Sequence, residues 1–348
     1  MRLDTTRSDP DVNTTPTSPT RPDPDVNTTP TSTTRPDPDV NTTPTSTTMP
    51  DPDVNTTPTS SIQKENRGEI VNSKKITFGG RGKGPGSFKL LRGVAVSGHN
   101  EIFVTDEGNK RVQVFGMNGV FLRLFPAVVP RVNGQAMCPT DVAIDGEGYV
   151  WVVGSNIDSN RDHRDVVKYS RQGQPELSHM FPLRNMDGMP PSVAFDATNN
   201  KVIMAANTDI FVLSLDGSVD KSFQSFKKRA VEFITSDNDG NMLVTEVVSD
   251  KVHVYNQDGR RLFKFGGKGK GKGGLNSPMD ICTDDSGHVI IANWLNDRVD
   301  MFTRRGKFVR TIVEVKFPLG IAIGPGGQLV VTSSDQTVTI FPRHVASP

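Results

Sequence analysis

The sequence predicts an all-β fold, a six-bladed β-propeller over residues 74–348, closed by an N-terminal strand and preceded by a disordered tandem-repeat tail. Three observations carry that expectation. A four-strand unit recurs six times after residue 74. The third strands of successive units end 54, 44, 42, 47 and 39 residues apart. The strands are β-branched and aromatic, while the turns are rich in Gly, Asn and Asp. A variable period of about 45 residues with four short strands per unit is the pattern of a propeller blade, and the composition is what hairpins require.

The innermost strands read Gly93-Val-Ala-Val, Asp141-Val-Ala-Ile, Ser192-Val-Ala-Phe, Val231-Glu-Phe-Ile, Asp280-Ile-Cys-Thr and Gly320-Ile-Ala-Ile. Each is followed by a tight turn and a second apolar strand, starting at Ile102, Val150, Val202, Met242, Val289 and Leu329. Third strands fall at 111–115, 166–169, 210–213, 251–255, 298–302 and 337–341. Outer strands follow in five units, at 120–125, 176–181, 219–226, 260–265 and 307–312. The sixth unit runs out of chain after Phe341, so Lys75-Ile-Thr-Phe-Gly79 is expected to supply its outer strand. That pairing zips the two ends into one sheet and removes the open edges that invite aggregation.

Residues 1–61 repeat a 14-residue unit, DPDVNTTPTS with its trailing residues, from Asp9, Asp23, Asp37 and Asp51. One valine per unit cannot offset the entropy of ordering it, and its prolines block helix and sheet ladders, so this segment is expected to be disordered. Residues 62–73 read as a linker. The Asn-Thr-Thr sequons and Thr-Pro steps are read as features of a duplicated spacer. Charge is uneven: residues 1–72 hold 6 Lys/Arg against 11 Asp/Glu, and the remainder 34 against 28. Cys138 and Cys282 cannot build a disulfide framework or a zinc module. With neither a signal-like N-terminus nor a run long enough to span a bilayer, a cytoplasmic protein without membrane association is expected.

Two segments carry a recognisable motif: 76–125, beginning ITFGGRGKGPGSF, and 265–312, beginning FGGKGKGKGGL. Each has an FG-x-x-G-x-G lead, a strand ending near Asp or Asn, and an N-x-R-V-x-x-F strand. The chain therefore resembles the NHL-repeat family, whose propeller is best known at the C-terminus of tripartite-motif ubiquitin ligases. Blade three departs from the motif, with Asn207-Thr-Asp-Ile in place of N-x-R-V. The resemblance implies a non-catalytic recognition scaffold for a protein partner or ubiquitination substrate. Single-stranded RNA is the alternative ligand, and the propeller is expected to be monomeric. Two cysteines cannot supply the zinc ligands of a RING or B-box, so ubiquitin transfer is not expected from these residues alone.

Strand parity sorts the loops. Those linking one blade to the next share an end with the turns after second strands, and this end is basic. The candidate binding residues there are Arg81, Lys83, Lys89, Arg92, Lys227, Lys228, Arg229, Lys268, Lys270, Lys272, Trp294 and Arg298. Trp294 and, second, Phe88 are the candidate stacking aromatics that single-stranded RNA would need. Turns after first strands are acidic, with Glu101, Asp145, Glu147, Asp196, Asp237, Asp239, Asp284 and Asp285 against Lys201. The GKGKGKGG run lacks phosphate-loop spacing and opens no helix, so it is not read as one.

Six-bladed propellers also host hydrolases and lyases, which makes a metal-dependent enzyme the third reading. The histidines, His99, His163, His179, His253, His288 and His344, fall on different strands without convergent ligand spacing, and no catalytic residue, metal or cofactor is assigned. Asp141 and Asp280 open innermost strands on opposite blades and are read as caps of the strand entry.

Overall fold

Apolar runs punctuated by Gly, Asn and Asp fold into six four-stranded antiparallel sheets. A computed structural model describes residues 74–156, 163–182, 190–225 and 233–343. The expected tail and linker, residues 1–73, lie outside the described residues, as do Lys227, Lys228 and Arg229. From axis to rim, blade one comprises Leu91–Val96, Glu101–Asp106, Arg111–Gly116 and Phe121–Pro126. Blade two comprises Cys138–Ile144, Val150–Asn156, His163–Tyr169 and Pro175–Pro182; blade three Ser192–Asp196, Lys201–Ala206, Asp209–Leu213 and Val219–Gln224. Blade four comprises Ile234–Ser236, Met242–Glu246, Lys251–Tyr255 and Arg261–Gly266; blade five Pro278–Thr283, Val289–Asn293, Arg298–Phe302 and Phe308–Glu314. A two-residue ribbon, Val128–Val129 with Gln135–Ala136, decorates the link from blade one to blade two.

Blade six takes Pro318–Ile323, Leu329–Ser333 and Thr337–Phe341 from one end of the propeller sequence and Ile76–Gly79 from the other. Ile76 pairs with Ile340 and Gly79 with Thr337, and Thr77 and Thr339 hydroxyls meet at 3.1 Å. Phe78 packs on Phe115 of blade one, ring centres 4.6 Å apart. The expected zip between the two ends is thus present.

Blade four differs from its sequence reading. Its described innermost strand is Ile234–Ser236, with Ile234 paired to Val244 as Val94 is to Val104, while Val231 and Glu232, where the strand is expected to begin, lie outside the described residues. The sequence reading aligns Val231 with Gly93; the residue in that place is Phe233, two positions on. In this blade no Gly or Asp marks the strand entry, so apolar alternation alone fits either register.

Each blade is sandwiched between two neighbours, so second strands are buried on both faces; Glu101–Asp106 is buried along its whole length. This is why these strands read as unbroken apolar runs instead of alternating. Burial is organised as six apolar clusters, one for each blade interface. Fully burying one such side chain contributes about 1.5–3 kcal/mol.

Near the axis, side chains tie each blade to the next. Thr105 Oγ1 donates to Thr140 O at 3.4 Å, Thr140 Oγ1 to Pro191 O at 2.7 Å, and Ile234 N to Ser192 Oγ at 3.2 Å. Thr283 Oγ1 donates to Ser236 O at 3.0 Å, Ile321 N to Asp280 Oδ2 at 2.8 Å, and Thr332 Oγ1 to Arg92 O at 2.8 Å. These bonds run from blade to blade around the whole ring. Gly93 leaves room for the Asp141 carboxylate of the neighbouring blade: a Cβ there would stand 2.2 Å from Asp141 Oδ1.

The acidic turns have a structural origin. Asp145, Asp237 and Asp284 each use Oδ1 to accept two backbone N–H groups of their own turn, and Asp145 Oδ2 takes the Trp151 indole N–H at 2.8 Å. Glu101 differs: it bridges blades one and two through Arg123 (2.7 Å) and Arg171 (2.7 Å). Burial raises its pKa, but the two guanidinium groups outweigh burial and lower it to about 2.

Candidate interaction surface

The two motif segments build two copies of one loop. In each, a glycine-rich lead (residues 80–88 and 267–275) curls back on itself, closed by Gly82 N to Phe88 O at 2.9 Å and by Gly269 N to Leu275 O at 3.0 Å. An arginine then plugs each loop from below. Arg111 donates to Lys83 O, Gly84 O and Ser87 O, each at 2.8 Å; Arg298 donates to Lys270 O, Gly271 O and Gly274 O at 2.9, 3.0 and 3.1 Å. With these carbonyls drawn inward, the side chains of Arg81, Lys83, Lys268, Lys270 and Lys272 stand exposed.

Each plugging arginine also needs a counter-charge, and the two blades place it differently. Arg111 Nε donates to Asp106 at the end of the second strand, at 2.9 Å. Arg298 Nε donates to Asp300 on its own strand, at 2.8 Å, and Asn293 stands where blade one has Asp106. Both carboxylates are fully buried. A low-dielectric site holding a guanidinium favours one paired acid, and either position supplies it.

The sequence candidates therefore fall into distinct groups. Arg298 is a structural plug rather than a free contact residue, because its guanidinium is consumed by the loop and Asp300. Arg92 is half-buried and paired to Glu107 at 2.6 Å. Phe88 is fully buried at 0% exposure and cannot stack on a ligand, a correction to its reading as a second aromatic platform. Trp294 is half-buried, with Nε1 on Ser334 Oγ at 3.3 Å and its ring against Phe317. Arg81, Lys83, Lys89, Lys268, Lys270 and Lys272 remain as exposed cations, and Lys316 joins them from the link between blades five and six. Sequence reasoning missed Arg111 and Phe317.

At the axis, the innermost strands line a cavity of about 300 Å³ that includes Asp141, Asp280 and Cys282. Asp141 does more than cap its strand: Oδ1 accepts from Val142 N at 2.9 Å, while Oδ2 accepts from Ser192 Oγ and Val193 N of blade three. Asp280 repeats the device from blade five to blade six. Burial lifts the Asp141 carboxyl to about 6; burial, then the charge of Asp141, lifts Asp280 well above the usual range. The Cys282 thiol is likewise pushed up, by burial and then by Asp280 and Asp284, which disfavours the reactive thiolate.

These shifts set a pH profile. A carboxyl raised in the folded state stabilises the fold below its folded pKa and loses that contribution as pH rises from about 4 through about 6. Glu101, depressed to about 2, contributes above its unfolded value and loses that contribution as pH falls through its folded one. The thermal midpoint is therefore expected to rise as pH is lowered from about 7 to about 5 and to fall in stronger acid. Scanning calorimetry of the wild type and Asp280→Asn checks this; an unchanged slope between those two pH values in the variant would exclude Asp280 as a source.

The architecture and surface together define a six-bladed propeller that presents two plugged, lysine-bearing loops on one face. Among known families, the NHL repeat matches residues 88–115. The mouse E3 ubiquitin-protein ligase TRIM32 is 24% identical over 299 residues, covering 77% of this chain and 44% of that protein. The human NHL-repeat-containing protein 4 is 30% identical over 105 residues, covering 30% of this chain and 83% of that protein. This chain belongs to the NHL-repeat family. It spans less than half the length of the TRIM32 proteins it matches. A solved streptogramin B lyase shares the fold, with a TM-score of 0.53 at 13% identity, covering 77% of this chain and 96% of that one.

Proposed function

We propose that this chain is a non-catalytic recognition scaffold whose inter-blade face takes a protein partner, in the manner of the substrate-binding end of a tripartite-motif ligase. Ubiquitin transfer in such a system comes from a RING supplied elsewhere, and the proposed setting is the cytoplasm. The observation that carries the reading is the loop construction: Arg111 and Arg298 are spent on holding two glycine loops, and the lysines on those loops serve no pairing role among the described residues. The kinship with TRIM32 supports a protein partner. Asp141 and Asp280, the carboxylates at the axis, are engaged in bonds from blade to blade, which fits a structural role for them.

The test compares wild type with Lys268→Ala/Lys270→Ala/Lys272→Ala in quantitative affinity capture with the full chain. Partners lost from the triple variant but kept by a control altered on the opposite face, Asp285→Ala, support the reading; identical capture by all three would refute it. Exposed lysines on a glycine-rich backbone also fit phosphate, which makes single-stranded RNA the second reading. Filter binding to a random RNA pool at several salt concentrations decides it: retention that falls with salt, with a shallower slope in the triple variant, supports RNA.

A further inference from the structure

Phe317 is the outlier of the inter-blade face. It holds a left-handed backbone, φ +47°, a conformation that a bulky residue adopts only at a cost. The turn is over-determined: Phe317 N donates to Asp297 Oδ1 at 2.9 Å, and its carbonyl accepts from Ser334 N at 3.1 Å and Ser334 Oγ at 3.3 Å. One blade earlier Ser277 occupies the same place, with φ +50°, its N–H on Asp250 Oδ1 at 2.7 Å, and Pro278 following as Pro318 follows Phe317. The left-handed turn thus belongs to the fold, and serine satisfies it. The aromatic ring does not belong to that requirement.

Nor is the ring used for packing in the ordinary sense. It is 43% exposed, the only aromatic among the exposed large hydrophobics of the described residues. It stands 5.9 Å from Trp294, which packs downward against the cluster between blades six and one, and Leu295 beside it is 42% exposed. The result is an apolar step joined to the lysine loop: Leu295 N donates to Asn276 O at 3.1 Å and Asn296 Nδ2 to Gly269 O at 2.8 Å.

Lysines outnumber carboxylates around the step. Lys316 precedes Phe317, and Lys268, Lys270 and Lys272 lie on the adjoining loop, all exposed. The nearby acids are Asp297, which accepts from Phe317 N, Asp335, which accepts from Thr337, and Glu314 at the end of its outer strand, three carboxylates against the four lysines. We propose that this step seats an acidic linear peptide, with one large apolar side chain against Phe317 and Leu295 and its carboxylates toward the lysines. The inference rests on the inter-blade face being a protein-binding face. A single exposed ring favours one anchored side chain over RNA, which stacks successive bases on successive platforms.

The test uses fluorescence anisotropy with the full chain. Four labelled probes suffice: a short peptide with a central Trp flanked by Asp and Glu, the same peptide with Ala for Trp, the same with Lys flanks, and oligouridine. The Trp-acidic peptide is expected to bind best, and Phe317→Ser, Leu295→Ser and the triple lysine variant each to weaken it about tenfold or more. Phe317→Ser is expected to keep or raise the thermal midpoint, since serine already serves the same turn at position 277. Equal binding of the Ala-centred peptide, undiminished binding by Phe317→Ser, or no binding of any peptide overturns the proposal. Preferential oligouridine binding that Phe317→Ser abolishes replaces the peptide with RNA. If the lysine variant loses a captured partner while Phe317→Ser retains it, the interaction reading stands and this seat fails; if both retain it, both fail.

Discussion

A chain that begins at Arg81 is expected to lose cooperative folding, whereas one that begins at Lys74 keeps the propeller. The first lacks Ile76–Gly79, the outer strand of blade six. Its absence leaves Thr337–Phe341 with an open edge and strips Phe78 from Phe115. Ladder hydrogen bonds are worth about 0.5–1.5 kcal/mol each, and burial of Ile76 and Phe78 adds a comparable amount. The loss is on the order of 5 kcal/mol, similar to the whole stability of a marginal domain. Urea titration followed by tryptophan fluorescence, with light scattering for aggregation, measures it. Superimposable transitions for the two chains would show that the ring does not depend on its closing strand.

Arg298→Met is expected to cost about 3–5 kcal/mol, the penalty for removing one partner of a buried ion pair. Asp300 keeps Asn293 and Thr311 as donors but loses its counter-charge, and the carbonyls of Lys270, Gly271 and Gly274 lose theirs. Adding Asp300→Asn should recover part of the loss, because the stranded charge goes with it. Arg298→Lys should fall between, since an ammonium cannot span three carbonyls and a carboxylate at once. Denaturant midpoints rank the variants, and hydrogen exchange within residues 267–275 reports whether the loop has come loose. A midpoint for Arg298→Met equal to wild type would refute the plug.

What the sequence revealed followed from how much each position is constrained. Strands buried on both faces, such as Val289–Asn293 and Leu329–Ser333, announce themselves as apolar runs, and the closing strand was legible because KITFGG repeats the FGG of blade four's outer strand. Blade four's entry was misplaced because Phe233 stands where other blades show Gly, Asp or Ser. The site was harder. An exposed-looking arginine in N-x-R-V reads as a ligand contact, and only its hydrogen bonds reveal a plug. A signal was nonetheless present: Gly82 to Arg111 and Gly269 to Arg298 are both separations of 29 residues, the spacing expected if each arginine serves its own loop. Phe317 carried no such signal. Its importance lies in a backbone angle, and sequence shows only a phenylalanine before a proline.

The pairing of Ile76–Gly79 with Thr337–Phe341 also fixes an order of events during synthesis. The first strand has no partner until the last one has left the ribosome, so the nascent propeller carries an unsatisfied β-edge for nearly its entire translation. A message stopped early by even the final strand yields a chain with the same lysine loops but no clasp. Such a product is marked for chaperones and proteases by its geometry alone.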